Sequence, residues 1–123
     1  MIRLVHCVKR HPDLAVADFR RHWNSSRFSA LLARMAELSG ARRVQQSLTL
    51  LIDINLQLMQ ERKSEEPFDA MLEIWWENAR ELELRIESPQ MQQLLEEMES
   101  YQHQFIDFSR SRRFFTEWSA DNP

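Results

Sequence analysis

Along the first stretch of the chain Ile2, Leu4, His6 and Val8 share one parity, and Arg3, Val5, Cys7 and Lys9 share the other. A period of two predicts a β-strand, ended by the breaker His11-Pro12-Asp13. Apolar residues stand on both parities, so both faces of this strand are expected to be at least partly buried. From about Asp13 to Ser39 the spacing changes to three and four, with Leu14, Phe19, Trp23, Ala30, Leu31, Met35 and Leu38 recurring between Arg and Glu residues. That pattern predicts an amphipathic helix, stopped at Gly40 by a left-handed C-terminal cap. Its start is either Asp13 acting as a cap or Ala15 in the cap position without a side-chain acceptor.

Leu48, Leu50, Ile52, Ile54, Leu56 and Leu58 occupy every second position, which predicts a second strand from Arg42 to about Ile54. Asn55 to Pro67 reads as a polar connection, with one or two helical turns around Leu56 to Arg62. Phe68 to Trp76 alternates again and predicts a third strand, Ala70, Leu72, Ile74 and Trp76 facing the helices and Trp75 sharing the side of Glu73. Asn78 to Ile86 predicts a short helix. Ser88-Pro89 then restarts a helix to about Gln104, Ser as N-cap and Pro in the first turn. Arg112 to Trp118 predicts a last strand before a frayed terminus.

Strand, helix, strand, strand, helix, strand is the split βαβ arrangement, an α+β ferredoxin-like βαββαβ fold with an antiparallel four-stranded sheet. The first and third strands are expected to be neighbours, and that pair is read as parallel. Helices cover one sheet face. The other also carries apolar residues and needs a second layer, for which a partner chain is the simplest cover.

The 123-residue length fits one domain, and an apolar fraction of 43% with seven Phe and four Trp excludes disorder and fibres. A single glycine argues against dinucleotide fingerprints and phosphate loops, and a single cysteine against disulfides, CxxC pairs and cysteine-rich zinc sites. His11, His22 and His103 lack metal-ligand spacing, so no metal is expected. No segment reads as a signal peptide or a membrane span, and a soluble, cytoplasmic protein without membrane contact is expected. Residues 1–63 carry a net charge of +6 and residues 64–123 a net of −9. The Arg residues of the positive half are scattered rather than striped, so charge matching within or between subunits is expected and nucleic acid is not.

The opening Ile2-Arg3-Leu4-Val5 with Lys9-Arg10, followed by Phe19-Arg20-Arg21-His22-Trp23, resembles the start of EthD-domain proteins of the dimeric α/β-barrel superfamily. Arg42-Arg43-Val44-Gln45-Gln46, Glu73-Ile74-Trp75-Trp76-Glu77 and the stretch Phe105 to Ser111 leading into Phe114-Phe115 agree with it in order and spacing. The resemblance implies a single EthD-like domain over residues 1–119 with a frayed tail over 120–123. It also implies a homodimer whose two sheets stack face to face into a dimeric α/β barrel, with a small-molecule cavity in each subunit's half. Relatives include cofactor-free monooxygenases, isomerases, cyclases and proteins of no known activity, so membership implies a fold rather than a reaction. No cofactor is expected. The family's His-Gly-Pro is replaced by Arg27, Phe28 and Ser29, and Ser47 stands where a second histidine often follows the second-strand glutamine.

Glu73, mid-strand among apolar residues, needs either a polar cavity or a partner. Were His6 on the same side of the sheet, the two would form an acid/base pair and be the catalytic candidates. The alternative is that Glu73 pairs structurally with Arg3 or Arg43 and His6 is a satisfied core residue. Trp23 and Trp75 are candidates for the wall of an aromatic-ligand site, with Trp23 equally a core residue. Asn24 or Arg27 is a candidate to hold an oxyanion, and Gln45 completes the ligand-binding set. The expected function is binding of a small hydrophobic or aromatic molecule. One version is a cofactor-independent cyclase, isomerase or monooxygenase in degradation or secondary metabolism, and the alternative is a non-catalytic accessory protein that has lost the family histidines.

Overall fold

A computed structural model describes residues 1–117. Trp118 and the expected tail 120–123 lie outside the described residues. Ile2–Val8 (β1) leads through Val16–Trp23 (α1) and Ser26–Ser39 (α2) to Arg43–Leu48 (β2), and Asp53–Arg62 (α3) connects β2 to Ala70–Trp76 (β3). Ala79–Ile86 (α4), Pro89–Gln102 (α5), a 3₁₀ turn at Phe108–Arg110 and Arg112–Glu117 (β4) complete the chain. The strands form one sheet in the order β2-β3-β1-β4.

Every neighbouring pair is antiparallel. The β1–β3 pair is therefore antiparallel, not parallel as the sequence reading has it. The helical crossover returns the chain so that β2 runs with β1, and β3 then comes back against both.

The predicted first helix is two. Asn24 ends α1, and the Ser25 side chain restarts α2 by accepting the Phe28 backbone N–H at 3.1 Å. Ala15, without a side-chain cap bond, precedes α1, and Gly40 ends α2 in the left-handed region at φ 75°. The predicted second strand stops at Leu48, well short of Ile54. Its alternating leucines continue into α3, which buries no side chain, and Leu51 remains 72% exposed. A period of two specifies a strand only where a neighbouring strand and a buried face reward it; β3 begins at Ala70 opposite Leu48 and supplies no further partner.

Val8, Ala70, Leu72, Ile74 and Trp76 point to the helices and join Phe19, Trp23, Phe28, Leu31, Met91, Leu94 and Phe105 in the core. Arg3, Val5, Cys7, Met71, Glu73 and Trp75 have the opposite parity, and none belongs to that core. Trp76 anchors the two layers, its indole N–H donating to the buried Ser39 hydroxyl at 3.0 Å.

Candidate functional site

The two predicted catalytic residues stand on opposite sides of the sheet. His6 pairs with Leu72 and Val5 with Glu73, and successive strand side chains point to opposite faces. His6 therefore belongs to the helix-covered face and Glu73 to the open one, so they form no acid/base pair. Glu73 takes the structural alternative. Its Oε2 receives an Arg3 guanidinium N–H at 3.0 Å, and Arg3 Nε donates to Thr116 Oγ1 at 3.2 Å. Trp75 lies on the same open face between two guanidinium groups, 6.0 Å from Arg3 and 4.9 Å from Arg43 to the ring centroid. Gln45, opposite Glu73 on β2, accepts from Arg43 at 2.7 Å. Glu73, Trp75 and Gln45 are thus brought together, as an arginine-bound cluster.

The remaining predicted residues are dispersed. Trp23 is 1% exposed and packs against Phe19 and Phe28, so it is core rather than ligand wall. Asn24 is exposed in the turn between α1 and α2. Arg27 lies across Tyr101 and pairs with Glu97 at 3.2 Å on the outer surface.

A cleft of about 490 Å³ opens between the sheet and the helices α4 and α5. Leu4, His6, Ile74, Trp76, Arg113 and Phe115 form its sheet wall, and Leu82, Ile86, Leu95, Glu99 and Gln102 its helix wall. Strand register brings His6, Arg113, Phe115 and Trp76 together: Arg113 pairs with His6, and Phe115 and Ile74 flank Leu4. β4 is an edge strand, and with the hollow beside it Phe115 stays 55% exposed, while Phe114, of the other parity, is 48% exposed on the open face.

His6 is 5% exposed and borders the cleft. Burial, reinforced by the Arg113 cation, pushes its pKa down to about 4, so the imidazole is neutral at neutral pH. It can accept a hydrogen bond or proton on one nitrogen and donate from the other. Ser111, also on the lining, is otherwise engaged: its hydroxyl accepts from the Lys9 backbone N–H at 2.9 Å and donates to the Asp107 carbonyl at 2.8 Å. That bridge ties the last connection to the end of β1.

Arg113, which the sequence pattern places in the last strand, carried no predicted role there, and neither did Glu99 or Gln102 on α5. The signal for Arg113 was its parity with Phe115, which places both on the face of His6. Glu99 and Gln102 carried no comparable mark, because their position depends on how α5 is rotated over the sheet. No group of His, Cys, Asp and Glu able to hold a metal occurs among the described residues.

No protein-family model matches the chain, and no curated protein matches it in sequence. Solved structures do match. A dimeric ferredoxin-like protein of unknown function from Bacteroides fragilis has a TM-score of 0.61 at 14% identity, covering 95% of each chain. An ethyl tert-butyl ether D (EthD) family protein from Bacillus halodurans has a TM-score of 0.61 at 12% identity, over 97% of this chain and 99% of its own. SnoaB, a cofactor-independent oxygenase from Streptomyces nogalater, has a TM-score of 0.53 at 12% identity, over 99% and 96%. The order β2-β3-β1-β4 and the helices on one face thus give this chain the ferredoxin-like fold that it shares with an EthD-family protein.

Proposed function

We propose that this protein is a homodimer that binds a small hydrophobic or aromatic organic molecule in the cleft between its sheet and helices α4 and α5. The observation that carries the reading is the cleft itself: about 490 Å³, walled by aliphatic and aromatic side chains, with His6, Arg113, Glu99 and Gln102 as its polar points. A mostly apolar hollow with a few convergent polar groups is the usual form of a small-molecule site. The site lies on the helix side of the sheet, not on the Glu73 side.

For the dimer, support comes from apolar surface that one chain leaves uncovered: Leu50, Leu51, Ile52, Ile54, Leu56 and Leu58 along the β2–β3 connection, and Phe114 on the open sheet face. The similar Bacteroides fragilis protein is dimeric. Sedimentation at micromolar concentration is expected to give a dimer, and a stable monomer would overturn this part of the reading.

A catalytic version is favoured by one observation, that a neutral imidazole faces the cleft. His6 then takes a proton from an acidic C–H or O–H of the bound molecule, as in cofactor-independent chemistry. The oxygenase SnoaB has the same fold. Without turnover the cleft serves a binding or accessory role.

The test of binding is titration with N-phenyl-1-naphthylamine, a neutral apolar fluorophore. Saturable binding of one molecule per chain is expected, with at least a tenfold loss in Leu95→Trp, whose indole would fill the hollow. No saturable binding, or binding indifferent to Leu95→Trp, would overturn the cleft as the site.

A further inference from the structure

The cleft is not evenly apolar. Among the described residues its sheet wall carries one permanent cation, Arg113 on β4, next to the neutral His6 on β1; its helix wall carries Glu99 and Gln102 on α5, and the α4 contribution is aliphatic. Resting on the proposed reading of the cleft, we infer that its ligand carries a carboxylate or another oxyanion, seated by the Arg113 guanidinium with the His6 imidazole beside it.

Among the described residues Arg113 forms no ion pair, whereas Arg3, Arg10, Arg21, Arg27 and Arg42 each have a carboxylate within reach. Arg112, its chain neighbour on the other parity, is held by the carbonyls of Ser109 and Ser111. A guanidinium stays charged at any physiological pH and presents parallel N–H groups that match a carboxylate's two oxygens. Arg113 is exposed at the rim of the cleft, where its guanidinium can meet an anionic group of a molecule seated between the walls. The Arg113 field acts on His6, where the cation helps to keep the imidazole neutral. An anion bound between the two relieves that effect and receives the imidazole N–H as a second donor.

Among the described residues Glu99 is the one carboxylate on the lining. It sits on the helix wall, where it repels an anion and favours a hydroxyl or amine donor, and Gln102, three residues on, stands on the same face of α5. The two walls thus have opposite polarity and orient the ligand, with the acidic group toward the sheet, the donor groups toward α5 and the ring system between them. The ligand class is therefore a compact aromatic or alicyclic acid.

The experiment is displacement of N-phenyl-1-naphthylamine by two compounds of one shape, 2-naphthoate and 2-naphthamide. The acid is expected to displace the dye at concentrations at least tenfold below the amide. That preference should collapse to about onefold in Arg113→Gln and persist in part in Arg113→Lys, which keeps the charge and loses the fork. Equal potency of acid and amide on the unmodified protein, or an undiminished preference in Arg113→Gln, would overturn the inference while leaving the cleft reading intact. Absence of a saturable dye site in the unmodified protein would remove both.

Discussion

The helix-covered side of the sheet has a filled end and a hollow end. At the filled end α1, α2 and the C-terminal end of α5 bring Phe19, Trp23, Phe28, Tyr101 and Phe105 into one aromatic cluster with ring centroids 5.5–6.0 Å apart, and Phe28 and Phe105 are fully buried. At the hollow end α4, α5, β1 and β4 surround about 490 Å³ of space, and the phenyl ring of Phe115 is left half-exposed. Apolar side chains line both. The difference teaches that hydrophobic composition alone does not make a core: the filled end closes because rings from three helices interdigitate, whereas at the hollow end Leu82, Ile86 and Leu95 of α4 and α5 face the sheet across open space. Space that a chain keeps open beside a buried histidine and an arginine is space available to a ligand.

The largest test of this contrast removes a ring from the filled end. Phe28→Ala is expected to lower stability by about 3–5 kcal/mol, because the transfer and cavity terms add where neighbours cannot collapse. Urea denaturation checks it, and a loss under about 1 kcal/mol would show that the filled end is not close-packed.

Next comes the pH dependence of the hollow end. The His6 pKa is about 4 in the folded protein against 6.5 for the free side chain, so as pH falls the unfolded chain takes up the proton first. The contribution is therefore complete above about pH 6.5 and lost between there and about pH 4, amounting to up to about 3 kcal/mol. His6→Gln is expected to flatten the fall in stability between pH 7.5 and 4.5. Parallel pH profiles for the two proteins would show that His6 is not held neutral by its surroundings.

A smaller effect is expected on the open face. Glu73→Gln loses the ion pair with Arg3 and should cost about 1 kcal/mol. Binding in the cleft should persist, since the sheet lies between. A loss of dye binding in this variant would contradict the separation of the two faces.

The smallest change in stability is expected for Leu95→Trp. Added atoms enter existing space, so stability should shift by less than about 1 kcal/mol, whereas enlarging Leu32 to Phe at the filled end should cost about 1–3 kcal/mol through overpacking. Similar losses for both would mean that the hollow is smaller than its outline.

The order of elements, the parity of β3 and the cap at Gly40 were legible in the sequence because each is encoded by neighbours in the chain. The alternation of Ala70, Leu72, Ile74 and Trp76 marks the helix-facing side wherever the sheet is placed. The leucines from 50 to 58 misled for the same reason: their alternation is local, while a strand needs a partner that residues 49–69 do not provide. The candidate site was only partly legible. His6 was singled out, but its assumed partner Glu73 is turned away by a one-residue difference in parity across paired strands, and Trp23 became core when α1 packed on α2 and α5.

By itself the sequence determined an α+β ferredoxin-like chain of four strands and the helix-facing parity of β3, since periodicity and caps act over a few residues. Only the tertiary structure decided that Glu73 is bound to Arg3, that His6 meets Arg113, and that Glu99 and Gln102 face them across a hollow. Those meetings depend on strand register and helix placement, which join residues up to about a hundred positions apart, and no local pattern records them.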